Sequence, residues 1–234
     1  MRQLSQFAQN SAEIKSLLDI LIDPNTQSQE YANTFYQLGG ALSDIIRDSN
    51  EFLSPQTQVT LACSSEDADW LTKGILDRLE KHVSKINLAV FWNMRSNAFE
   101  NNKLAIAPII KTYIESLENV DILIICKSII NTSCVVRTNL TYLIERITPK
   151  RIFIVSPVLF KNAIPSLENE FPKSISDKFN FFYLAEDNEV TESGEVIPGI
   201  GGSVYRRLGL EDSMKKNKYI PVIVKQRREA NQLS

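Results

Sequence analysis

The run DILIICKSIINTSCVVRTNLTYLIERI (residues 121–147) has the grammar of a buried strand, a short loop and a helix. Such a unit often presents a phosphate to the free N–H groups that open the helix. Its loop holds Cys126, Lys127, Ser128, Asn131, Thr132, Ser133 and Cys134, with no glycine and no carboxylate. Hydroxyls can donate to a phosphate, and Lys127 or Arg137 can supply charge, but the close backbone approach that glycine permits is missing. A second loop, Cys63-Ser64-Ser65, leads into Glu66, Asp67 and Asp69. These acids are either metal ligands or, as the pattern favours, the capping and dipole-compensating residues of a helix that starts there. A third candidate is Arg95, which closes FWNMR at a predicted strand end and would meet a phosphate or form a surface ion pair.

His82 is the one histidine of the chain, so a His-based zinc site or a Ser-His-Asp triad would have to use it. Its place beside Lys81 near a predicted helix end reads as a solvated residue, and no metal site is assigned. Cys63, Cys126 and Cys134 admit a redox pair or a reactive thiol. With no histidine at hand to activate them, they read instead as small, soft residues that fill space.

Composition narrows the class. At 234 residues, 43% hydrophobic and 23% charged, the chain is an ordinary globular protein with one substantial α/β domain or two small ones. A net charge of −2 argues against a globally basic nucleic-acid binder and leaves a local basic patch open. No apolar run approaches the ~20 residues of a membrane helix, and the N-terminus lacks a signal-peptide core. Three cysteines without a CxxC fit reduced thiols in the cytoplasm.

The elements that must position these loops follow from periodicity. Ile14, Leu17, Leu18 and Leu21 mark one helical face, and Tyr31, Phe35, Leu38, Leu42, Ile45 and Ile46 a second, with DPNTQSQ as the break. VTLAC then reads as a strand, followed by a helix through Trp70, Leu71, Ile75 and Leu79 and by the strand INLAVFW. Ile106, Ile109, Ile110, Tyr113, Ile114 and Leu117 predict another helix. DILIIC, RIFIVSPV and FNFFYLA predict further strands, with a helix on Leu140, Leu143, Ile144 and Ile147. This alternation predicts a mostly parallel sheet covered by helices on both faces, with ligands at the carboxyl ends of the strands.

Several separate stretches resemble uracil phosphoribosyltransferases. LIDPNTQSQEYANTFYQLGGALSDII is similar to that family's L-R-D-x-N-T helix pair through Asp23, Asn25 and Thr26. EDNEVTESGEVIPGIGGSVYRRLGL resembles its late motif through Asp187, Glu192, Gly194, Pro198, Gly199, Gly201, Arg206 and Gly209. The 121–147 run then falls on the family's V-D-P-M-L-A-T-G-G-S loop. The resemblance implies a type I phosphoribosyltransferase-like fold with an N-terminal helix pair. It divides the chain into a helical arm (1–50), an α/β domain (51–210) and a basic extension (211–234). In the family, an acid at the strand end meets ribose hydroxyls or metal-bound diphosphate, T-G-G-S wraps the phosphate, an R-A-G loop holds pyrophosphate, and a late G-D pair reads uracil.

Here Cys126 stands where the acid is expected, with Lys127 next to it, Asn131-Thr132-Ser133-Cys134 replace T-G-G-S, Cys63-Ser64-Ser65 replace R-A-G, and Gly202 replaces the uracil-side aspartate. Arg95 lies about where the family keeps a phosphate-binding arginine. The implied expectation is a protein that has lost transfer and serves as a nucleotide-sensing, scaffold or regulatory subunit, a use such folds also find in bacterial defence systems. The alternative is an active phosphoribosyl- or glycosyltransferase with an altered substrate, using Mg and phosphoribosyl pyrophosphate. The family also implies a homodimer, with Tyr31, Phe35 and Leu38 offering an apolar face. Beyond the last motif, Lys215, Lys216, Lys218, Lys225, Arg227 and Arg228 surround YIPVIV. The expectation is that residues 219–224 form a strand, rimmed by positive charge, that docks a partner protein or nucleic acid.

Overall fold

The computed structural model describes residues 1–48, 53–94, 96–97, 105–192 and 194–232. The chain opens with β1 (Gln3–Leu4), α1 (Gln6–Gln9), α2 (Ala12–Ile22) and α3 (Ser28–Asp48). Ser11 caps α2 by accepting from the Ile14 N–H. β2 (Gln58–Ser64) runs through a 3-10 turn (Ser65–Asp67) and a π turn (Ala68–Thr72) into α4 (Lys73–Leu79). There follow β3 (Lys85–Asn93), β4 (Ser96–Asn97), β5 (Ala105–Ile106), β6 (Ile109–Ile114), β7 (Ile122–Cys126), β8 (Ile129–Ile130) and α5 (Cys134–Ile144). Next come β9 (Arg151–Phe160), α6 (Ala163–Asn169), α7 (Lys173–Ser176), β10 (Phe179–Asp187), β11 (Glu189–Val190) and β12 (Val196–Ile197). Three C-terminal helices follow: α8 (Val204–Arg207), α9 (Ser213–Lys218) and α10 (Val222–Gln232).

The main sheet has the order β1-β10-β9-β7-β2-β3-β6, with β8 added on β9. Its interior pairs are parallel, while β1 and β6 are antiparallel edges. Helices cover both faces, as the alternating pattern predicts. In β7, Ile122, Ile124 and Cys126 face one core with Tyr31, Leu71 and Val224, while Leu123 and Ile125 face the other with Leu140, Leu143 and Leu167. An unbroken apolar strand is what a doubly covered parallel sheet requires.

Two expectations are corrected. The helix predicted through residues 106–117 is β5 and β6: the apolar spacing fits a helix, but Pro108 stands ahead of a β-branched run that pairs with β3. The strand predicted over residues 219–224 is the turn into α10. Pro221 stands immediately before the first helical residue, and Ile223 and Val224 are buried in the chain's own core. Tyr31, Phe35 and Leu38 also leave no apolar face for a second subunit, because all three are fully buried between α3 and the sheet. That contact is close because α3 meets the α4 region at glycines: a Cβ on Gly39 would lie 2.2 Å from the Leu71 carbonyl oxygen.

Candidate functional site

The carboxyl ends of β2 and β7 meet with Cys63 in register with Cys126. One residue on, Lys127 leaves the sheet and its ammonium donates to Asp67 Oδ2 (2.6 Å) and Ser128 Oγ (3.0 Å), with Glu66 Oε1 at 3.3 Å. The lysine and both acids are buried. Burial opposes the Lys127 charge, yet Asp67 and Glu66 outweigh it and hold the ammonium above the usual lysine range. Burial likewise opposes ionisation of Glu66, but Lys127 and Lys216 keep it below the usual carboxylate range. The loop after β2 and the loop after β7 are thereby joined by an ion pair.

The C-terminal segment completes this cluster. From α9, Lys216 Nζ donates to the Asn93 carbonyl at 2.8 Å and lies 3.8 Å from Glu66 Oε2. Asp69 accepts from the Val222 and Ile223 N–H groups at 2.7 and 2.8 Å and from the Tyr219 hydroxyl, and so caps α10 across the fold. The Trp92 indole N–H donates to the Tyr219 carbonyl at 2.7 Å. Of the three acids after Cys63, Asp69 therefore caps a helix, α10 rather than its own, while Glu66 and Asp67 are ion-paired and, among the described residues, cap none.

In the loop before α5, Ile129 and Ile130 pair as β8 with β9, and the Asn131 amide donates to the Gly194 carbonyl at 2.6 Å. Ser133 holds φ 57°, the left-handed conformation a glycine takes freely and a serine adopts at a cost of about 1 kcal/mol. The resemblance sets Ser133 on a glycine of T-G-G-S. Ser133 Oγ itself faces the Ala163 carbonyl at 3.4 Å, toward the scaffold. Reciprocal amide bonds between Asn93 and Asn139 (2.9 and 3.2 Å) tie α5 to β3. Arg137 pairs with Glu170 at the surface at 3.1 Å.

The late loop is held from behind. Asp187, fully buried, accepts from Arg2 (2.9 and 2.8 Å) and from the Gly199 N–H at 2.9 Å. The Tyr31 hydroxyl donates to the Ile200 carbonyl at 2.8 Å, and Arg207 stacks on the Tyr31 ring while donating to the Gly201 and Asp23 carbonyls. Gly201, at φ 72°, passes so near α2 that a Cβ would sit 2.3 Å from the Leu21 carbonyl oxygen. Pro198, Gly199 and Gly201 thus anchor the loop, and Gly202 and Arg206 face outward from it.

A cavity of about 560 Å³ opens between these walls. Lys127, Asn131, Thr132, Ser133, Cys134, Gly202 and Arg206 line it, as do Asn93, Ile129, Ser203, Tyr205, Ser213 and Lys216, which carry no motif. Cys63, Ser64, Ser65 and Cys126 are buried and do not line it. Burial pushes the Cys63 and Cys126 thiols up, away from a reactive thiolate. Arg95 lies outside the described residues. The acidic lining is Glu66, engaged by lysines, and Glu195, exposed on the late loop.

Comparison with known proteins gives the fold its name. No family model matches the chain, and no curated protein does. Among solved structures, the AQ2163 protein of Aquifex aeolicus superposes with a TM-score of 0.66 at 16% identity, over 88% of this chain and 96% of that one. The adenine phosphoribosyltransferase of Trypanosoma brucei, in complex with AMP, pyrophosphate and ribose-5-phosphate, superposes with a TM-score of 0.51 at 11% identity, over 82% and 86%.

The fold is that of the type I phosphoribosyltransferases.

Magnesium and phosphoribosyl pyrophosphate, which a phosphoribosyltransferase fold implies, do not fit the residues present. An ammonium group follows the β7 strand end, and Glu66 and Asp67 are held by Lys127 and Lys216.

Proposed function

We propose that this protein binds a phosphorylated, nucleotide-like ligand in the cavity and does not transfer a phosphoribosyl group, serving as a regulatory or scaffold subunit on a phosphoribosyltransferase framework. The observation that carries the reading is the Lys127–Asp67 contact of 2.6 Å. A cation, itself neutralised by two carboxylates, directly follows Cys126, the residue that the resemblance sets on the acid of a uracil-type enzyme. Separating that buried pair to admit metal-bound diphosphate would strand charge in the interior, at a cost of about 3–5 kcal/mol.

Binding is supported by what remains. The left-handed turn at Ser133, the N-terminus of the eleven-residue α5 and the apolar walls at Ile129 and Tyr205 suit a phosphate and a ring. The uracil-side aspartate of the resemblance is Gly202, whose surroundings are open, so uracil is not the base expected.

Calorimetric titration with phosphoribosyl pyrophosphate, with and without magnesium, tests the reading. It predicts no magnesium-dependent binding. Micromolar affinity that appears only with magnesium would favour an active transferase of altered substrate.

A further inference from the structure

Lys127 and Lys216 are both buried beside the cavity, but their surroundings differ. Lys127 has all three ammonium protons matched by Asp67, Ser128 and Glu66 at 2.6–3.3 Å. Among the described residues Lys216 makes one hydrogen bond, to the Asn93 carbonyl, while Glu66 at 3.8 Å attracts it without accepting a hydrogen bond. The Tyr205 ring centroid lies 5.9 Å from the same nitrogen. Its side chain is 8% exposed, so water does not replace the missing partners freely. A buried ammonium with donors to spare, in the wall of a cavity, is the local environment that an anionic oxygen completes. Ser203 adds a buried hydroxyl oxygen in the same wall with no partner among the described residues.

The arrangement also explains why the acids need no metal. Glu66 and Asp67 carry two negative charges, and the two lysines carry two positive ones. The cluster is neutral without an ion, and Lys216 places its charge at the cavity face.

We propose that Lys216, supplied by the C-terminal segment, is the cation that holds the anionic group of a phosphomonoester ligand, and that this binding is independent of divalent metal. The inference rests on the proposed function and names the ligand chemistry of that site. The C-terminal segment is then part of the binding site: Asp69 and Trp92 clamp Tyr219, Val222 and Ile223, and thereby set the position from which Lys216 reaches in.

The test is calorimetric titration of the full chain with the four ribonucleoside 5′-monophosphates, each in magnesium and in EDTA. It is repeated on Lys216→Met and Lys216→Arg after their folding is checked by circular dichroism. The expected result is at least one nucleotide whose affinity agrees within about twofold between magnesium and EDTA. Affinity should fall roughly tenfold or more in Lys216→Met and recover in Lys216→Arg, the loss of one charge-assisted hydrogen bond. Magnesium tightening the wild-type complex tenfold would overturn the inference, and this arm stands even where Lys216→Met does not fold. A folded Lys216→Met that binds like wild type would overturn it equally. If no monophosphate binds in either buffer, the proposed function falls as well, an outcome distinct from metal-dependent binding.

Discussion

Replacing Lys127 by methionine keeps the length of the stem and deletes the charge that joins the loops after β2 and β7. Asp67, 2% exposed, then loses its cation, and Glu66 retains Lys216 at 3.8 Å. Breaking a buried pair by removing one partner costs about 3–5 kcal/mol. In a chain of this length each kcal/mol is worth about 2–4 °C, so Tm should fall by roughly 6–20 °C. Urea unfolding followed by tryptophan fluorescence reads the loss, since Trp92 lies in the core. The double variant Lys127→Met/Asp67→Asn should recover more than half of it, because neither charge is then buried alone. The pH dependence has a definite sign. Burial pulls the Asp67 carboxyl up and Lys127 is the main offset. With Lys127 in place its folded-state pKa already lies above the unfolded value of about 3.9, and without Lys127 it rises further, so that stability falls as pH increases from the unfolded value through the folded one. The gap between wild type and Lys127→Met should therefore widen as pH rises from the acid range toward neutrality. A loss below about 1 kcal/mol at pH 7, or a double variant as unstable as the sum of the singles, would refute the reasoning.

The remaining predictions address how the rest of the fold serves the site. Asp69→Ala should free the first turn of α10 at a cost of about 1–3 kcal/mol, seen as faster amide exchange at residues 222–224 and earlier tryptic cleavage after Lys225 and Arg227. Gly74→Ala would put a Cβ 2.0 Å from the Tyr36 carbonyl oxygen and should lose about 1–3 kcal/mol or more by forcing α3 and α4 apart, read by chemical denaturation. Tyr31→Phe strands the Ile200 carbonyl and should cost about 1 kcal/mol in global stability, with the exchange of amides in residues 199–202 rising by the same measure.

How much of this was legible in the sequence depends on the range of the contacts involved. Unbroken apolar strands such as ILIIC and the β–α rhythm fixed the parallel interior, because a strand buried on both faces has a pattern of its own. β6 escaped because Ile109, Tyr113 and Ile114 sit at helical spacing on a half-buried edge, where neither period is enforced from both sides. α10 escaped for another reason. YIPVIV has strand propensity, and its helix starts where Asp69, far away in the sequence, accepts the N–H groups of Val222 and Ile223. The candidate site divides in the same way. Lys127 at a strand end was visible as a departure from a motif, and the burial of Glu66 and Asp67 against it could be read only in three dimensions. Lys216 looked like one of several basic tail residues. Its signal is its neighbourhood, since Lys215 beside it is exposed and pairs with Glu211 in the same segment.

The central claim is that the site binds without transferring, and pyrophosphate release tests it most directly. The full chain, at micromolar concentration, is incubated with phosphoribosyl pyrophosphate, magnesium and each of uracil, adenine, guanine and hypoxanthine, and released pyrophosphate is followed with a coupled enzyme. The account predicts release no faster than in the absence of the protein, for every base, because Lys127 and Lys216 hold the carboxylates that metal-bound diphosphate would require. Release that depends on one base, saturates with it and is lost on removing magnesium would contradict the account.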